Sequence, residues 1–81
     1  MKNQINIELN NDEALILFDF LSDNLSRIYE SDVDKSVWEV LSRILAHLET
    51  ELQEPFNNDY AILLDLARQR IKDKNEYESK A

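Results

Sequence analysis

From Asn10 onward, apolar residues recur with a helical period. At 100° per residue Ala14, Leu17, Phe18, Leu21, Leu25 and Ile28 share one stripe, widened by Leu15 and Tyr29. Asn10 stands where an N-cap belongs, and Glu13, three residues on, completes a capping box. Asp12 and Glu13 suit the positive first turn. The pattern predicts a helix over 11–30. A second arc, Val37, Trp38, Val40, Leu41, Ile44, Leu45, Leu48 and Leu52, opposes Lys35, Glu39, Ser42, Arg43, Glu49 and Gln53, and predicts a helix over 33–53. Ser31 or Asp32 is its expected N-cap, and Pro55 ends it, because proline lacks the N–H and pushes the preceding residue out of helical geometry. Asn57 then caps a third helix over 58–74. Its stripe is Tyr60, Leu63, Leu64, Ala67 and Ile71, broadened by Ile62 and Leu66, and a frayed tail follows from residue 75.

Residues 1–9 carry a different period. Ile5, Ile7 and Leu9 alternate with Asn6 and Glu8, which suits a short extended segment. With no partner strand in the chain, it packs on the helices, pairs with a second copy, or offers its backbone to another protein. Three amphipathic helices joined by short turns make one all-α domain over 1–81. The expected architecture is a three-helix up-down-up bundle with a short extended N-terminal segment.

Two large residues of the first helix break its pattern. Ile16 and Phe20, four apart, fall on the side opposite the main stripe, among Asp12, Asp19, Asp23 and Asn24. Either the N-terminal segment or the tail covers them, with Ile5 or Ile7 lying across Phe20, or they form an aromatic anchor ringed by carboxylates, the anatomy of a protein-binding hot spot.

Charge sharpens the second possibility. The chain holds 17 acidic and 9 basic residues, a net charge of −8. The imbalance is uneven: through Ala67 there are 14 acids and 4 bases, whereas Arg68–Ala81 has 5 bases and 3 acids. Such a body repels phosphate backbones and attracts cationic surfaces, so nucleic acid is not an expected ligand and a basic protein is. The third helix supports the exclusion, since Arg68 and Lys72 point away from Arg70 and Lys74 and cannot together enter a groove. No stretch has the length and apolarity of a membrane span, and the N-terminus lacks the apolar core of a secretory signal. Together with the absence of cysteine, these features place the expected location in the cytoplasm.

Candidate catalytic chemistry is sparse. His47, the single histidine, sits at the edge of the second helix's arc with no ligand set or nucleophile at pairing distance in sequence. Asp19 with Asp23, and Glu49 with Glu51 and Glu54, are carboxylate groups on open faces, without the burial that separates an acid from a base or the loop geometry of a calcium site. The glutamates near Pro55 do oppose their own helix dipole, a cost that a basic partner would relieve. With no glycine, a phosphate-cradling loop is excluded. No enzyme activity, metal or cofactor is expected.

The order Leu9-x-x-Asp12-Glu13-Ala14-x-x-Leu17-Phe18-x-Phe20-Leu21-Ser22, then Trp38-x-x-Leu41, Leu48-Glu49 and Pro55-Phe56-x-x-Asp59-Tyr60-x-x-Leu63-Leu64-x-x-Ala67-Arg68, resembles a set of small bacterial proteins of unknown function. Those proteins read DEALVLFE and EPFSPDY at these places; here Asn57-Asn58 replaces the Ser-Pro pair, which keeps a cap and loses a rigid first turn. The resemblance spans about Leu9 to Ile71 and implies a bacterial source and one helical unit, with no activity attached. The expected function is therefore that of a small acidic protein-binding module, of the immunity or antitoxin kind, covering a basic enzyme surface with Asp12, Ile16, Asp19, Phe20, Asp23 and Glu30. The alternatives are a homodimer or larger homo-oligomer with a structural or accessory role, whose Ile16 and Phe20 faces meet across a two-fold axis, and a phage-derived mimic of nucleic-acid charge.

Overall fold

The structure, a computed structural model, describes residues 4–79, with side chains described as far as Asp73. Asn10 opens the fold with a complete capping box: its backbone N–H donates to Glu13 Oε1 at 2.8 Å, and the Glu13 N–H donates to Asn10 Oδ1 at 2.8 Å. Two of the N–H groups that a helix start leaves orphaned are thereby satisfied. Helix α1 spans Asn11–Glu30, the bounds its pattern predicts.

Ser31 closes α1, which leaves it unable to open the next helix. Its N–H and Oγ both donate to the Ile28 carbonyl, while its Oγ accepts from the Val33 N–H. The cap of the second helix falls instead to Asp34, whose Oδ1 accepts from the Ser36 N–H and Oγ. Helix α2 accordingly spans Lys35–Glu51, starting two residues after the expected position. It also ends two residues early. Leu52 turns extended and inserts into the core, its N–H still donating to the Leu48 carbonyl. A single 3₁₀ turn, Glu54–Phe56, carries Pro55 near its start, where a missing N–H is harmless. Asn57 then bridges to the last helix, its Oδ1 accepting from the Asp59 N–H and its carbonyl from the Tyr60 N–H. Helix α3 spans Tyr60–Ser79. It continues past Lys74, where a frayed tail was expected; residues 80 and 81 of that tail lie outside the described residues, as do residues 1–3 of the N-terminal segment.

The architecture is an all-α three-helix bundle, and α1 is its central member. Both substantial helix–helix interfaces belong to α1, one with α2 and one with α3. Leu15 and Leu21 of α1, Leu48 of α2 with the adjoining Leu52, and Leu64 and Ala67 of α3 form the buried core, flanked by Ala14, Leu17, Phe18, Leu41, Leu45 and Tyr60. Burying each such leucine contributes about 1.5–3 kcal/mol. Lys35 of α2 donates to the Tyr29 carbonyl, and Glu54 beyond the end of α2 accepts from Asn11, so α2 runs back along α1. Along α3, Tyr60 and Arg68 both meet Asp19, and Arg70 meets Asp12, so polar contacts tie α3 to the side of α1 that carries these aspartates.

Candidate functional site

The six residues singled out on α1 divide into two groups. Asp12 and Asp19 turn toward α3. Arg70 forms a bidentate fork on Asp12, Nε to Oδ2 and Nη2 to Oδ1, both at 2.8 Å. That bonded guanidinium, with its charge, outweighs a small burial penalty and holds the Asp12 carboxyl below the ordinary aspartate value, while Asp12 in turn raises Arg70. Asp19 accepts from the Tyr60 hydroxyl at 3.0 Å through Oδ1 and from Arg68 Nη2 at 2.9 Å through Oδ2. Burial, then the bond to Asp19, then the charges of Asp19 and Asp23 push the Tyr60 hydroxyl up to about 12, against an opposing pull from Arg68. Arg68 and Arg70 are thus cross-links between α1 and α3.

The other group faces solvent. Ile16 is half-buried against the core, so part of the outer stripe is used in packing. Phe20 is 54% exposed, and Asp23 and Glu30 are exposed. Near Phe20, Asn24 Nδ2 donates to the Phe20 carbonyl at 2.8 Å and accepts, through Oδ1, from Arg27 Nη1 at 3.1 Å, which fixes this part of the surface. Among the described residues, the N-terminal segment does not lie across Phe20. Ile5 and Ile7 instead face Leu17, Val40, Ile44 and Leu48 around an open groove of about 670 Å³ on the α2 side, with Arg43 and His47 in its wall. Glu30 is separated from Phe20: it borders an open cleft of about 620 Å³ with Ser22, Leu25, Ser26, Tyr29 and Trp38. There Tyr29 meets Trp38 edge-on at 5.1 Å, Lys35 caps the Tyr29 ring at 4.3 Å, and Trp38 Nε1 is buried without a hydrogen-bond partner.

An aspartate held ionised by arginine is a poor proton carrier near neutral pH. Among the described residues, no three His, Asp or Glu side chains are grouped so as to hold a metal ion, and no helix is long and apolar enough to cross a membrane. A Glu39–Arg43 pair four residues apart is present at 3.3 Å on α2, contributing about a few tenths of a kcal/mol.

Exposed apolar residues that the pattern along the chain did not single out lie on α2 and on α3, where Ile62 and Leu66, read as broadening the stripe, are exposed. Val37, Val40 and Ile44 belong to the apolar arc read as buried, yet all three are exposed in the fold. The available signal was the width of that arc, which exceeds what one neighbouring helix covers. No family model, curated protein or solved structure matches the chain.

Proposed function

We propose that this chain is a small acidic protein-binding module of the immunity or antitoxin kind, which covers a basic enzyme surface with the outer face of α1. The observation that carries the reading is Phe20, a large aromatic side chain 54% exposed on a helix whose neighbouring outward positions include Asp23, in a chain of net charge −8. Aromatic residues with a polar rim dominate binding energies at protein interfaces, and the carboxylates speed approach to a cationic partner. Phe20 is the anchor and Ile16 its half-buried support. Asp23 supplies free negative charge beside it, Glu30 does so at the end of the helix, and Asp12 and Asp19 border the face while tied to Arg70 and Arg68.

The test is capture of partners from the native host with the tagged chain, its Phe20→Ala variant and its Asp23→Lys variant, read by mass spectrometry at low and high salt. A basic protein retained by the parent chain, released by salt and lost from both variants supports the reading. Recovery of the same proteins by all three chains sinks it.

A further inference from the structure

The N-terminal segment and α2 present an apolar surface to solvent. Ile5 is 89% exposed and Ile7 79%, and beside them Val37, Val40 and Ile44 project from α2 at spacings of three and four residues. That spacing is the seam of a helix–helix interface. Leu9, 41% exposed, lines the same groove. The exposed side chains together present on the order of 600 Å², the size of a large apolar patch on a monomer and a good part of the ~800 Å² that each partner contributes to a standard interface.

The charge around this patch indicates which partner fits it. The groove between the N-terminal segment and α2 has His47 and Arg43 in its wall, Arg43 paired with Glu39, and Glu8 follows Ile7 in the segment, so this face is close to neutral on a chain of net charge −8. A basic protein is drawn elsewhere, to the carboxylate-bearing faces. A second copy of this chain, by contrast, meets the least repulsion when this face of each is presented to the other. We infer that two copies associate through Ile5, Ile7, Val37, Val40 and Ile44, about a two-fold axis, which makes the contact self-complementary and closed. The α1 face bearing Phe20 and Asp23 stays outward in such a dimer. The inference stands on the α2 surface alone and does not depend on the proposed function.

Salt separates the two contacts. Ions screen the repulsion between two chains of like charge, so self-association strengthens as salt rises, whereas binding of a basic protein to the α1 face weakens. The experiment is sedimentation velocity on the full chain, with purified Val40→Glu, Ile7→Glu and Phe20→Glu variants, across salt and up to the highest soluble concentration. Circular dichroism monitors helix content. We expect a monomer–dimer equilibrium that tightens with salt, is weakened by roughly tenfold or more by Val40→Glu and by Ile7→Glu, and is unchanged by Phe20→Glu. Ile7 lies outside any helix, so its variant decides the matter even if Val40→Glu disturbs α2. A monomer at every concentration and salt overturns the inference, as does a dimer that survives Ile7→Glu or that Phe20→Glu abolishes.

Discussion

Asp12 and Tyr60 give the α1–α3 interface a dependence on pH at both ends of the scale. The folded state holds Asp12 below its ordinary value, so the stability it supplies is fully present above the unfolded-state value and disappears as pH falls through the folded one. Replacing Asp12 with Asn should lower the urea midpoint at neutral pH, and the gap between variant and parent should close below the carboxylate range. Tyr60 behaves with the opposite sign. Its folded-state value is raised from 10.0 to about 12, so its contribution is complete below the unfolded value and is lost as pH rises through the folded one. A spectroscopic titration of phenolate should show one tyrosine ionising later than an exposed one, and Tyr60→Phe should remove that late step. Removing the hydroxyl also deletes its bond to Asp19, a loss of about 0.5–1.5 kcal/mol in a denaturant melt. None of these pairs was legible in the sequence. Asp19 and Arg68 are 49 residues apart and Asp12 and Arg70 are 58 apart, and no periodic rule links such positions until α3 is placed against α1.

Among the elements, α1 was the most legible because its start is written into two residues. Asn10 and Glu13 satisfy each other's backbone N–H groups, and the helix begins where they dictate. Asn10→Ala should cost about 0.5–2 kcal/mol by thermal or chemical unfolding, since it breaks the box while touching no core residue. Leu21→Ala tests the same helix from its buried side, where Leu21 is 1% exposed; a loss of about 2–5 kcal/mol is expected, large enough to unfold much of so small a domain. The ends of α2 were less legible because two residues each had competing uses. Ser31 serves the end of α1 in place of the start of α2, and Leu52 leaves the helix to bury its side chain. A polar turn offers several caps, and only the packed fold chooses among them. The arc of α2 was correctly seen as amphipathic, yet periodicity states how wide an apolar face is and not how much of it a neighbour covers. Having α1 alone as a substantial partner leaves Val37, Val40 and Ile44 at the surface.

For the molecule as a whole, helix count and bundle class followed from three stripes and three sets of stop signals. The arginine–aspartate cross-links between α1 and α3 did not, because they join positions far apart in the chain. The candidate site was legible in part. Phe20 is as outward-facing as its place off the main stripe suggested, whereas Ile16 is half-covered and Asp12 and Asp19 are engaged by arginines.

The central position of α1 has a kinetic meaning. Amides bonded within a helix exchange with bulk deuterium only when that helix opens, and helices with fewer neighbours open at lower free energy. Since α2 and α3 each lean on α1 and scarcely on one another, either can detach while the remaining pair stays together, but α1 cannot be released without dispersing both. In a hydrogen-exchange experiment the amides around Leu15 to Leu21 should therefore be the slowest in the chain and should report the global unfolding free energy. Those of α3 should exchange sooner, through a partial opening in which Arg68 and Arg70 let go of Asp19 and Asp12. If all three helices exchange at one common rate, the bundle opens as a single unit.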